Sequence, residues 1–294
     1  MTMQGKVCLI TGASRGIGRA MALKLANMDT RLLLHARTRA SVDRAVSELR
    51  ELSGNPNIEG FAAEFADQEA VRQMAEQVRG RTDRLDLLVN NAALFSTQRT
   101  MTADDHEMTF AVNHLAHFIL TNAVTDLLRA AAPARVVILA SEAHQRAHHV
   151  EDWESRNGYS GYQAYARSKL ANVMFGYDLA HRLEGSGVTV NSCHPGLADT
   201  GFVEKMFDRW WARWIVPVAK QFTIPVEEAI VTPMQLATSP AFEGVTGKYF
   251  KDGRAIPSSL VSHDPTIGAR LWNISLRYTG ELPDVEITGE HIAH

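Results

Sequence analysis

The chain has 294 residues, 45% of them hydrophobic and 21% charged, a composition that suits a large buried core and excludes a disordered chain. Thirty Lys and Arg against 33 Asp and Glu leave a formal charge of −3, so no basic excess calls for nucleic acid or anionic lipid. Two cysteines, Cys8 and Cys193, are too few for a disulfide scaffold, and no run of 18 apolar residues is present to form a spanning helix.

The first residues lead directly into an apolar run at 7–10, without the basic region and long apolar core of a signal peptide. With two thiols in apolar runs, this predicts a cytoplasmic protein. Further apolar runs follow at 32–34, 85–89, 135–140 and 188–193. They alternate with helical spacing at 18–28, 39–52, 68–78, 104–131 and 163–183, the last stopped by Gly185, Ser186 and Gly187. This alternation predicts an α/β fold, a doubly wound parallel sheet with helices on both faces, in one domain over 1–294. From 199 to 260 the rhythm breaks, which predicts an insertion near 199–240 before a closing strand near 245–250.

Thr11 to Gly18 reads TGASRGIG, directly after the first run and opening the first helix. Gly12, Gly16 and Gly18 allow a tight turn and close backbone approach to a diphosphate, with Ser14, Arg15 and Ile17 completing a loop at a helix N-terminus. A Rossmann-type fold that binds NAD places an acid on the ribose about 20 residues later. Here stands Arg37, whose guanidinium suits a 2′-phosphate.

The spacing TGxxxGxG resembles the loop of the short-chain dehydrogenase/reductase family. In that family Arg15 lies on the same side as Arg37, and together they imply NADP(H) in preference to NAD(H). Glu64 and Phe65 resemble the segment after the third strand that contacts adenine. Asn90, Asn91, Ala92 and Ala93 resemble the family's NNAG motif.

Tyr165 and Lys169 stand at i and i+4, one turn apart on one helix face, whereas Tyr159 and Tyr162 have no Lys at that spacing. A free phenol is a poor acid or base at neutral pH, and a nearby ammonium would stabilise the phenolate and lower its pKa. Ser141 ends the fifth run at the carboxyl edge of the sheet, where a hydroxyl can donate to a carbonyl or alkoxide. The resemblance implies that Ser141, Tyr165 and Lys169 are catalytic and that Asn113 holds a water in a proton relay to the lysine. It also implies that Pro195 and Gly196 border the cofactor and that Thr200 faces the nicotinamide.

A narrower likeness is to the retinol dehydrogenase-like branch. It rests on the 24 positions from Ser141 to Tyr165, on Ser168 to Asn172, on His194-Pro195-Gly196, on Gly247 to Phe250 and on Leu271-Trp272-Asn273. It implies an enzyme that reduces hydrophobic ketones or aldehydes to alcohols, or the reverse. The wider family resemblance implies a dimer or tetramer, with the long helices as candidate interfaces, or a monomer as in some members.

Trp210, Trp211 and Trp214 recur at helical spacing with Val203, Phe207, Ile215 and Val218, an amphipathic pattern. Packing on the core and covering the substrate both explain it, with membrane-surface contact a lesser alternative. His144, His148 and His149 cluster after Ser141, but no acid or Cys signature accompanies them, and a polar loop explains them without a metal. His114 and His117 beside Asn113 read as groups satisfying local hydrogen bonds, with one of them open to lining the pocket. The competing functional class is a dinucleotide-binding regulator or scaffold without turnover, and an assay of cofactor oxidation separates the two.

Overall fold

The strand sequences are almost uniformly apolar because a parallel sheet covered on both faces leaves no side for polar residues. In a computed structural model, residues 3–196 and 224–281 are described. The strands are β1 (Val7–Ile10), β2 (Arg31–Ala36), β3 (Ile58–Ala62), β4 (Leu87–Asn90), β5 (Ala134–Leu139), β6 (Val188–Cys193), β7 (Lys248–Lys251) and β8 (Arg254–Ala255). Their order is β3-β2-β1-β4-β5-β6-β7-β8, parallel throughout except for the antiparallel pair β7–β8. Cys8 pairs with Leu32 on one side and Leu87 on the other. The order reverses between β1 and β4, and such a switch point opens a crevice at the carboxyl ends of the strands.

Alternate residues of each strand serve opposite faces. Leu9, Leu33, Leu88, Val136 and Val190 pack with α3 (Gln68–Arg79), α5 (Ala116–Ala123) and α7 (Gly161–Arg182). Cys8, Ile10, Leu32, Leu34 and Val137 pack with α1 (Gly16–Ala26) and α2 (Arg39–Ser53). Side chains cap several helices: Thr38 accepts from Ser41 N–H, Asp67 from Ala70 N–H and Ser160 from Gln163 N–H.

Three segments depart from the sequence expectations. β3 was not among the apolar runs, because as an edge strand it carries Glu59 and Gly60 within IEGFA. The helix expected over 104–131 is divided into α4 (Met108–Phe110), a π-helical turn at Ala111–Leu115, α5, and α6 (Thr125–Ala130). Its start lies at Met108 because the Glu107 carboxylate accepts from Phe110 N–H at 2.8 Å, while residues 101–107 form a turn closed by the bridge Met101↔Glu107.

The third departure is at 226–238. There α8 (Val226–Ala229) and α9 (Val231–Thr238) bury Ile230, Leu236 and Ala237 on the sheet. Buried Arg135 of β5 fixes them, donating at 2.9 Å to Leu236 O and Ser239 O. This end of the expected insertion is therefore part of a helical layer. Its remainder, with Thr200, Trp210, Trp211 and Trp214, lies outside the described residues. The helix α10 (Pro265–Tyr278), capped by Asp264, closes the other face through Trp272.

Candidate active site

The loop after β1 is held by β4. Thr11 Oγ1 accepts from Asn91 N–H at 2.8 Å and Ala92 N–H at 2.9 Å, and Asn91 Nδ2 donates back to Thr11 O at 2.6 Å. That closeness explains two glycines. A Cβ at Gly12 (φ 67°) would lie 2.9 Å from Ala92 Cα, and one at Gly18 would lie 2.5 Å from Asn91 Nδ2. The Asn91 side chain thus shapes the loop from behind.

No side chain caps the N-terminus of α1, and no acid occupies its first turn. Backbone N–H groups of the loop over Ser14, Arg15, Gly16 and Ile17 are available to an anion, so the residues present fit the diphosphate of a dinucleotide. Arg15 and Arg37 are exposed beside this loop and the end of β2. Arg37 Nε lies 3.8 Å from Glu64 Oε2, a solvent-screened pair worth at most about 1 kcal/mol that leaves the guanidinium open to a stronger anion.

Phe65 is buried rather than presented to a ligand. Its ring stacks on His35 at 3.9 Å with a 7° interplanar angle. His35 Nε2 donates to Ala63 O at 3.0 Å, which makes Nδ1 the acceptor for Gly12 N–H at 3.2 Å. Burial lowers the His35 pKa to about 4, so the ring is neutral and pins the glycine loop to the end of β3.

Across the switch point, the end of β5 and the helix α7 bring Ser141, Tyr165 and Lys169 together. The Ser141 hydroxyl lies near enough to the Tyr165 phenol to pull its pKa down, and Ser141 Oγ accepts from Ala143 N–H at 3.2 Å. Lys169 Nζ lies 5.6 Å from the Tyr165 ring centroid and donates to Leu139 O at 2.9 Å. Phe95 meets the tyrosine ring edge at 5.9 Å.

Electrostatics correct one expectation. Burial pushes the Tyr165 phenol well above its usual range, the Ser141 hydrogen bond pulls it partly back, and Tyr162 raises it further. The net direction is up rather than down, and the Lys169 ammonium is itself desolvated, its pKa lowered to about 8.

Asn113 lies in the π-helical turn, and its side chain is committed. Oδ1 accepts from Leu94 N–H at 2.8 Å, while Nδ2 donates to Leu94 O and to Ser168 Oγ, each at 3.0 Å. Ser168 Oγ in turn donates to Tyr165 O at 2.7 Å. Both amide protons are engaged, so the side chain braces the Leu94 loop against α7, and a relay water would fall to the main-chain carbonyl. At the end of β6, Pro195 precedes Gly196 at φ 88°.

His114 is buried and hydrogen-bonded to Ser275 Oγ at 2.8 Å. His144, read from sequence as part of a polar loop, is buried against Ser141. Its Nδ1 donates to Ser141 O at 2.6 Å and its Nε2 accepts from Ser259 N–H at 3.2 Å. Only the clustering of His144 after a strand-end serine could have signalled it.

A family model described as short chain dehydrogenase matches residues 6–210. Retinol dehydrogenase 14 of Mus musculus is 37% identical over 289 residues, which cover 93% of this chain and 85% of that protein. A blue fluorescent protein from a metagenomic library, solved in complex with NADPH, is 29% identical with a TM-score of 0.67, over 85% of this chain and 97% of that one. An uncharacterized protein of Mycobacterium paratuberculosis shares the fold, with a TM-score of 0.76 over 95% of both chains at 24% identity.

Proposed function

The chain belongs to the short-chain dehydrogenase family, whose members are NAD(P)-dependent oxidoreductases, and on that premise we propose that it uses NADP(H) to interconvert carbonyl and alcohol groups of hydrophobic small molecules. One observation carries the reading: the Tyr165 ring lies 5.6 Å from the Lys169 ammonium and beside Ser141, at the sheet edge that also bears the glycine loop.

A nicotinamide dinucleotide supplies or accepts the hydride when bound. Tyr165 moves the proton at its Oη, giving it to the carbonyl oxygen in reduction and taking it from the alcohol in oxidation. The raised pKa keeps the phenol protonated at neutral pH, ready as an acid. Working as a base, it needs the Lys169 charge to offset the phenolate. Ser141 donates a hydrogen bond to the reacting oxygen, and this bond strengthens as negative charge develops there. Lys169 would also hold the ribose of a bound dinucleotide, and the Asn113 carbonyl supports proton return.

The selectivity for NADP(H) rests on Arg37 and Arg15, which suit a 2′-phosphate, and on the lack of an acid at the end of β2. The name of the mouse relative describes action on retinol, an apolar alcohol, which supports a lipophilic substrate here. The apolar, amphipathic pattern of Trp210, Trp211 and Trp214 in the sequence also suits such a substrate.

The test follows cofactor absorbance over a panel of aldehydes and ketones, with NADPH and NADH in parallel. Oxidation of NADPH that is fastest with long-chain or ring-containing carbonyls is expected. A best substrate that is a sugar or a small polar ketone overturns the lipophilic assignment. Dinucleotide binding with no turnover across the panel overturns the enzymatic reading in favour of a regulator or scaffold.

A further inference from the structure

His117 stands between the glycine loop and the turn that carries Asn113. Its Nδ1 lies 3.0 Å from the Asn113 carbonyl, which can only accept, so Nδ1 bears the proton. The buried ring is neutral, with its pKa lowered to about 3 chiefly by desolvation, and Nε2 is therefore an acceptor. The Thr11 hydroxyl, 2.9 Å away, supplies the donor. That hydroxyl also accepts from Asn91 and Ala92, so its bonding capacity is filled. The edge of Phe65 meets the His117 ring at 5.5 Å, with His35 stacked on the far side of that phenylalanine.

The two nitrogens of one ring therefore grip two parts of the site directly, beside the indirect link that runs from Thr11 through residues 91–94 to the Asn113 side chain. We propose that His117 is a positioning residue that keeps the dinucleotide loop and the Asn113 carbonyl in register, serving cofactor binding through Nε2 and proton return through Nδ1. This inference rests on the reading given under Proposed function.

Two conservative substitutions separate the two grips. Asn carries its amide nitrogen near the Nδ1 position, so His117→Asn retains the bond to Asn113 and loses the one to Thr11. Gln reaches the Nε2 position, so His117→Gln retains an acceptor for Thr11 and loses the Asn113 bond. The dissociation constant for NADPH, read by fluorescence and by thermal shift, is expected to rise about fivefold in His117→Asn and less in His117→Gln. Turnover at saturating NADPH is expected to fall about tenfold in His117→Gln and less in His117→Asn, with a larger solvent deuterium effect in the Gln variant. Equal losses on both axes in both variants mark a merely structural residue and overturn the proposal.

Absence of turnover in the parent chain sinks the functional reading, and the NADPH arm then decides alone: weaker binding in His117→Asn than in His117→Gln supports the Thr11 grip, and the reverse order overturns it. Where neither variant folds, nitrogen-15 NMR of the parent chain decides. A neutral ring protonated at Nδ1 from pH 5 to 9, with shifts that move when NADPH is added, is the expected result. A ring protonated at Nε2, or one indifferent to NADPH, overturns the proposal.

Discussion

The adenosine side of the crevice and its catalytic side are built from opposite materials. Around Arg15, Arg37 and Glu64 the charged groups are exposed and loosely paired, so water screens each of them. Tyr165, Lys169, Asn113 and His117 are buried, and the polar groups of the last three are held by specific hydrogen-bond partners. The exposed side can select a ligand by charge and can tolerate change. The buried side can tune reactivity, and it pays for any lost partner with an unsatisfied group.

Acid breaks this contrast most completely. His35 and His114 have pKa values lowered from 6.5 to about 4, and His117 to about 3, in each case mainly by burial. A folded-state pKa below the unfolded one means that the stabilisation is fully present above pH 6.5 and is lost as pH falls through 4 and then 3. Each shift corresponds to roughly 3 kcal/mol or more. The melting temperature should hold from pH 8 to 6.5, fall steadily below that, and collapse near pH 4. A melting temperature flat from pH 7 to 4 would contradict the assignment of three neutral buried rings.

A change on the exposed side should leave the fold intact and alter only selection. Arg37→Asp puts a carboxylate where a 2′-phosphate is expected, and NADPH should bind at least tenfold more weakly while NADH changes less than twofold. Equal losses for both dinucleotides, measured by titration, would remove Arg37 from the phosphate site. The smallest expected effect concerns the tryptophans. Among Trp210→Ala, Trp211→Ala and Trp214→Ala, at least one should raise KM for the best bulky substrate about threefold to tenfold, with NADPH affinity little changed. Three unchanged KM values would retire the apolar cover.

The same contrast explains what was legible in the sequence. The central strands stood out because burial on both faces makes VCLI and VVIL continuous apolar runs. The glycine loop and the Tyr165–Lys169 pair stood out because their geometry is local, fixed by a turn or by one helical repeat. The prolines at 225 and 233 fall in the stretch where the strand–helix rhythm breaks, which hid two helices. Yet Pro225 precedes α8 and Pro233 sits in the first turn of α9, where a missing N–H costs no helical bond. The bonds of His117 to Thr11 and of His144 to Ser259 join residues 106 and 115 positions apart, and no spacing rule reaches that far. Nor does residue type reveal that Asn113 is held in a π-helical turn, since its neighbours keep ordinary helical spacing.

Tyr165→Phe tests the division between the two sides most directly, because it deletes one buried proton and keeps the ring. Turnover with the best carbonyl substrate should fall at least a hundredfold, while the NADPH dissociation constant stays within about threefold of the parent value. Turnover within a few fold of the parent, or a loss of NADPH affinity as large as the loss of rate, would contradict the assignment of Tyr165 as the proton donor on a side of the site distinct from the one that selects the dinucleotide.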